Sequence, residues 1–151
     1  MIQLLRTNIH DPKFKILVKQ LDQELVSMYG KQMEFFNPHN ILKNDTFALV
    51  ALQDDEPVAI GTFREMNKNG AVEIKRIFVP AKHRSKGFSK LILVELENWA
   101  KEENYTCSKL ETGDKNITAI SLYLNAGYEK IDLFEPYISV ENSLCFAKKL
   151  K

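Results

Sequence analysis

The residues best equipped for chemistry lie in a basic loop between an apolar strand and an apolar helical run. Ile77-Phe78-Val79-Pro80 closes an extended stretch, Lys82 to Lys86 follow, and Gly87-Phe88-Ser89 opens a helical pattern. The first turn of a helix presents backbone N–H groups with no intrahelical acceptor, and its dipole is positive there. Such a terminus, fed by a strand and a glycine-containing loop, suits a phosphate-bearing ligand. Lys82, His83, Arg84 and Lys86 add positive charge at the same place. The pattern Arg84-x-x-Gly87-x-Ser89 is short enough to arise by accident, and its weight comes from the strand before it and the helix after it. It is not G-x-G-x-x-G, and the chain has no G-K-[ST] loop, so neither a dinucleotide-binding fold nor a nucleotide triphosphatase is supported.

A second signal is Asn116-x-x-Ala119-Ile120-x-Leu122-Tyr123-x-x-x-Gly127-Tyr128. On its own, Tyr123 between Leu122 and Leu124 reads as a half-buried core tyrosine. Gly127 reads as a helix stop.

Periodicity supplies the elements that must hold these residues. Ile2, Leu4 and Thr7 begin a strand, and Asp11-Pro12 reads as an N-cap and first helical residue. Phe14, Leu17, Val18, Leu21, Leu25 and Met28 then recur at helical spacing up to Gly30. Lys31 to Asp45 shows no period and reads as an irregular segment able to cover a cleft. Phe47 to Leu52 and Val58 to Arg64 form a predicted hairpin around the turn Gln53 to Pro57. Lys68-Asn69-Gly70 turns into a strand from Ala71 to Val79. A helix over about Gly87 to Glu103, a strand near Ser108 to Glu111 and a loop-helix pair from Asp114 to Asn125 follow. Strands near Tyr128 to Ile131 and Ser143 to Lys148 end the chain. Strands that first meander and then alternate with helices predict an α/β chain of the α+β type, with a mixed sheet and helices on both faces.

The 151 residues, 44% hydrophobic and 27% charged, are expected to make one globular domain over 1–151. A net charge of +1 provides no global attraction to nucleic acid or anionic membrane. The basic loop is therefore a local feature suited to a compact anion. Cys107 and Cys145 lack metal-ligand spacing, so no metal site is expected and both read as free thiols. The N-terminus has no apolar run of signal-peptide length, and a cytoplasmic location is the expectation. An exposed strand edge near the C-terminus is compatible with a homodimer.

Taken together, the order of the two signals, their separation and the strand before each resemble the GNAT superfamily of N-acetyltransferases. The resemblance covers roughly Glu73 to Tyr128. It implies a centrally splayed sheet and acetyl-CoA as acetyl-donor co-substrate, its pyrophosphate wrapped by an R/Q-x-x-G-x-G/A loop. Arg84, Gly87 and Ser89 stand at the defining places, with Ser85, Lys86 and Phe88 between them. Ser89 departs from the usual Gly or Ala but keeps its N–H. The same resemblance implies that main-chain groups near Ile77 and Val79 pair with the pantetheine arm on a bulged strand. It implies that Asn116 contacts the cofactor and that Tyr123 protonates the departing sulfur.

An alkyl amine of pKa about 10.4 is free in only about one molecule per thousand near neutrality, so its attack needs a base. Glu73 matches the catalytic glutamate of the histone-acetylating branch, and Glu111, ending the next strand, is an equal rival. As plain surface charges, both have a structural reading too. The acceptor is expected to be a small-molecule amine, met by loops at 29–45 and 132–145 that carry Phe134, Tyr137 and Ser143, whereas Phe35 and Phe146 suit core packing. A non-catalytic acyl-CoA sensor, or a purely structural domain, are the alternatives.

Overall fold

The computed structural model describes residues 1–30, 42–66 and 70–150. A seven-stranded mixed sheet runs in the order β1-β2-β3-β4-β5-β7-β6. Its strands are β1 (Ile2–Thr7), β2 (Phe47–Gln53), β3 (Glu56–Met66), β4 (Ala71–Phe78), β5 (Cys107–Gly113), β6 (Glu129–Ile131) and β7 (Ser143–Lys149). The helices are α1 (Pro12–Tyr29), α2 (Phe88–Glu102) and α3 (Ile117–Asn125). All neighbouring strands are antiparallel except β4 and β5, which are parallel.

Helices cover both faces, and β2 shows why. Ala48, Val50 and Leu52 pack with Ile60 and Phe78 against Phe14, Leu17 and Leu21 of α1. Leu49 and Ala51 point the other way, into a core with Phe63, Val72 and Ile92, Leu93 and Leu96 of α2. A strand buried on both faces reads as a continuous apolar run rather than an alternation, as Ala48 to Leu52 does. Helix α2 lies very close to the sheet at Gly61, where a Cβ would stand 2.5 Å from Ile92 Cγ2 and 2.8 Å from Leu96 Cδ1. Phe146 is in the same core, as its apolar character predicts.

The N-terminal helix starts as expected: the Asp11 carboxylate accepts from the Lys13 N–H at 2.8 Å, Pro12 is the first helical residue, and Gly30 ends the helix at φ 56°. The hairpin turn is tighter than expected. Gln53 and Glu56 belong to the strands, and only Asp54 and Asp55 turn, at φ 50° and 69°. Short acidic side chains tolerate the left-handed region that a two-residue hairpin requires. Within the expected loop-helix pair from Asp114 to Asn125, helix α3 starts at Ile117, because Asn116 takes the cap. Residues 31–41 of the irregular segment, Phe35 among them, and the turn residues Lys68 and Asn69 lie outside the described residues.

Two features open the middle of the sheet. The β4–β5 ladder contains only Ala71↔Cys107, Val72↔Ser108 and Glu73↔Lys109. Beyond Glu73 the two strands part. On the other side of β4 the register against β3 slips by one residue between Lys75 and Phe78, with Arg76 at φ 64°. The expected bulge is therefore present, and it turns β4 just where the strands splay.

Candidate active site

A groove of about 720 Å³ runs from the β4 end, past the basic loop, to the start of α3, with α1 along its side. β4 ends at Phe78, one residue before the expected Val79, Ala81–His83 after Pro80 forms one tight turn, and Ser85 and Gly87 adopt φ 65° and 82°. Gly87 caps α2 in the left-handed conformation, and open space surrounds the place where its Cβ would stand. No side chain caps this terminus, and the first intrahelical bond runs from the Leu91 N–H to the Gly87 carbonyl. The N–H groups of Phe88, Ser89 and Lys90 are thus orphan donors of the first turn, in a helix anchored by the buried Phe88 ring. Donors of this kind, in an open backbone cradle at the positive end of a 15-residue helix, fit a pyrophosphate.

The charges of the loop are arranged differently from expectation. Arg84 donates Nε–H to the Val79 carbonyl at 2.9 Å and grips the Glu24 carboxylate of α1 at 2.6 and 2.7 Å. Its guanidinium holds the loop against the strand end and α1, and Glu24 offsets its charge. Lys82 and His83 both approach Glu56, at 3.1 and 2.8 Å, and their hydrogen bonds hold that carboxyl below its ordinary pKa. Lys86 is exposed and makes no ion pair among the described residues. Nothing in the local sequence announces Glu24, which lies sixty residues from its partner.

On the β5 side, the β4 edge has no ladder partner from Ile74 onward, and Ile77 and Val79 line the groove there. The Val79 carbonyl is occupied by Arg84. Across the groove, Asn116 caps α3 by accepting from the Ala119 N–H at 3.2 Å, which leaves its amide N–H groups as the donors available to a ligand.

The groove narrows into a cavity of about 160 Å³; Leu21, Leu25, Ile77, Asn116 and Tyr123 border both. Glu73 and Glu111 line this inner cavity. Tyr137, from the C-terminal segment, donates its phenol to Glu73 Oε2 at 2.8 Å, and Ser143 donates to Glu111 Oε2 at 2.7 Å. Burial pushes the Glu111 pKa up; the Ser143 hydrogen bond opposes this, and the negative charge of Glu73 reinforces it. Tyr137 is buried and its phenol is held well above the ordinary value, by burial first and by the Glu73 charge and hydrogen bond after it. Tyr123 sits where groove meets cavity, 8% exposed, with its ring against Tyr128 and Phe146. Its hydroxyl makes no hydrogen bond to protein among the described residues. Burial, then the Glu111 charge, raises its pKa far above a free phenol's.

The arrangement thus brings Glu73, Glu111 and Tyr123 to one cavity, and Ile77, Val79, Asn116, Arg84, Ser85, Gly87, Phe88 and Ser89 to the groove that feeds it, while Lys86 stands exposed outside the groove lining. Tyr128, in the same motif, does something else: its hydroxyl donates to Glu97 at 2.9 Å, lies 2.7 Å from Ser108 Oγ, and shares Glu97 with Lys148. That network satisfies polar groups buried between α2 and the sheet. Lys75 escaped the sequence reading, although it lines the cavity. Strand alternation is the signal that would have found it, since it stands two residues from Glu73.

The family model described as the acetyltransferase (GNAT) family matches residues 9–128. The chain belongs to the GNAT acetyltransferase family. It is 28% identical over 135 residues to the IAA acetyltransferase of Azospirillum brasilense, a match covering 89% of this chain and 88% of that protein. Among solved structures, a Klebsiella pneumoniae protein provisionally described as an acyl-CoA N-acyltransferase superposes with a TM-score of 0.82 at 25% identity, over 100% of this chain and 99% of that one. The PaiA N-acetyltransferase of Thermoplasma acidophilum, solved in complex with coenzyme A, shares the fold at a TM-score of 0.70, 15% identity and 99% of both chains. This chain is accordingly an acyltransferase of the GNAT type, built on a fold whose family uses acetyl-CoA. Among the described residues, no helix is long and apolar enough to cross a membrane, and no group of three His, Cys, Asp or Glu side chains could hold a metal ion.

Proposed function

We propose that this chain, as a single domain over 1–151, moves the acetyl group of acetyl-CoA directly onto a primary amine of a small molecule. One observation carries the reading: a groove flanked by a helix N-terminus without a side-chain cap leads past a phenol with no hydrogen bond among the described residues into a small cavity with two carboxylates. The thioester supplies an activated acetyl group when bound. The N–H groups of Phe88 and Ser89, with the Gly87 cradle, receive the pyrophosphate, and Lys86 adds charge at the mouth. The unladdered β4 edge near Ile77 and Val79 holds the pantetheine amides as an added strand would, and the Asn116 amide donates from the opposite wall.

Within the cavity, Glu111 is the better proton acceptor of the two acids. Burial raises its pKa against the opposing Ser143 hydrogen bond, which brings its basicity nearer to that of the ammonium it must deprotonate. Glu73 supplies a second negative charge that draws the ammonium in. Tyr123 donates to the sulfur as the C–S bond breaks. A free thiolate of conjugate pKa about 8.5 would take the proton of even an ordinary phenol uphill by about 2 kcal/mol. The raised Tyr123 pKa steepens that climb, so the proton moves with the leaving sulfur and not after it.

The test has two stages. Melting is followed with and without acetyl-CoA, with NAD and ATP as controls; ligand at a hundred times its dissociation constant stabilises by about 2.7 kcal/mol. Free-thiol release is then measured over a panel of small amines. A shift specific to CoA species followed by amine-dependent release supports the reading, and no shift at millimolar acetyl-CoA ends it. Binding without release from any amine would favour a sensor instead.

A further inference from the structure

Each acid of the inner cavity carries one hydroxyl, and both hydroxyls come from the C-terminal stretch: Tyr137 on Glu73 Oε2 and Ser143 on Glu111 Oε2. The two donors are held differently. Tyr137 lies in the connection between β6 and β7, whereas Ser143 is the first residue of β7 and the Cα partner of Gly113 in the β5–β7 ladder. Glu111 stands two residues before Gly113, so its side chain and that of Ser143 are diagonal neighbours on one face of the sheet. Gly113 puts no side chain between them. The Asp114 N–H donates to the Asn142 carbonyl at 2.8 Å and closes the ladder just beyond this pair. Ser143 is therefore a buried donor, 2.7 Å from Glu111 Oε2, whose place is set by main-chain pairing.

Resting on the acetyl-transfer reading above, we propose that Ser143 is the positioning residue of the base: it fixes Glu111 by Oε2 and leaves Oε1 to take the ammonium proton. The hydroxyl keeps its own proton throughout. One ammonium proton passes to Oε1 as the amide N–C bond forms, and the thiol takes the other through Tyr123 as the C–S bond breaks. A buried carboxylate faces opposing demands. Burial and the Glu73 charge strengthen Glu111 as a base, but the same influences favour its protonated, idle form. A donor at Oε2 stabilises the charged form, which is the form that works. Among the described residues, the other titratable groups that act on or feel Glu111 are Glu73 and Lys75 of β4, Tyr123 of α3, Tyr137, and Cys145 of β7. The Lys75 charge also favours the carboxylate, and the Glu73 charge disfavours it.

The experiment follows kcat/KM against pH by free-thiol release, with one amine throughout so that its own ionisation is common to every variant. Ser143→Ala should move the acidic limb to higher pH by about half a unit or more, because the charged form of Glu111 loses a hydrogen bond. The loss of kcat/KM should be concentrated at the acid end rather than spread evenly over pH. Ser143→Thr, which keeps the hydroxyl, should return the limb to its wild-type position. In Glu111→Gln protein, Ser143→Ala should cause no further shift. A limb that Glu111→Gln removes but Ser143→Ala leaves in place or moves to lower pH overturns the inference, with Glu111 still standing as the base. An even loss at every pH overturns it in the same way and returns Ser143 to a purely structural role. A limb that survives Glu111→Gln overturns the assignment of the base and this inference with it. The melting shift with acetyl-CoA checks that each variant is folded. Ser143→Cys, a weaker donor, replaces Ser143→Ala with the same expected direction where the alanine variant does not fold.

Discussion

Replacing Tyr123 with Phe removes one oxygen from the junction of groove and cavity and little else. The ring keeps its neighbours, with centroids 5.9 Å from Tyr128 and 6.3 Å from Phe146. Because the hydroxyl has no protein hydrogen bond among the described residues, its loss leaves no buried partner unsatisfied. Stability should therefore hold, with Tm within about 2 °C of wild type, since a small domain moves several degrees per kcal/mol. The kinetic effect is different in kind. A hydrogen bond to a charged acceptor contributes about 1.5–3 kcal/mol, and here the charge develops only on the departing sulfur. At about 1.4 kcal/mol per factor of ten, kcat should fall roughly 10- to 100-fold, while the acetyl-CoA dissociation constant changes less than about threefold. Free-thiol release at saturating substrates gives kcat, and fluorescence or calorimetric titration gives binding. A kcat unchanged in the variant, when a pre-steady-state trace shows chemistry to be rate-limiting, refutes the assignment of Tyr123. A large drop in Tm would instead return the residue to the core role that its apolar neighbours suggest.

Glu111→Gln should remove or displace the acidic limb of the kcat/KM profile. The proposed base Glu111 acts when deprotonated, and burial raises its pKa, so activity should fall with decreasing pH at a midpoint above the ordinary carboxylate range; if Glu73→Gln alone moves that limb, the two acids exchange roles. Gly61→Ala should destabilise by about 1–3 kcal/mol in chemical denaturation, because the new methyl meets the fully buried Ile92 and Leu96 at 2.5 and 2.8 Å, and an unchanged midpoint would show that α2 can shift. Gly87→Ala places a side chain at φ 82° in open space, costing about 1–2 kcal/mol of backbone strain; acetyl-CoA binding should weaken along with stability, and full affinity would show that the cradle tolerates another conformation.

The periodicities of Ala48 to Leu52, Phe14 to Met28 and Leu91 to Trp99 depend on local chain geometry, so they reveal strands and helices without any tertiary contact. Capping is equally local: Asp11-Pro12, Gly30 and Gly87 do in the fold what their conformational preferences require. The strand, basic loop, Gly87 and helix around Arg84 to Ser89 were legible for the same reason, since they are consecutive. What the loop's charges do was not legible. Arg84 and Lys82 are cationic in sequence, but Glu24 and Glu56 reach them only through the packing of α1 and the β2–β3 hairpin. The inner cavity likewise joins Glu73, Glu111, Tyr123 and Tyr137 from four separate stretches of chain. Their union depends on where β4 bulges and parts from β5, a matter of ladder register rather than residue type. The sequence by itself therefore determined the elements and the basic loop that opens α2, because those rest on short-range geometry and hydrogen bonding. Only the tertiary structure decided which acids share a cavity, which cations are neutralised and how burial raises the Glu111 and Tyr123 pKa values, because desolvation and charge pairing act through space between residues distant in the chain.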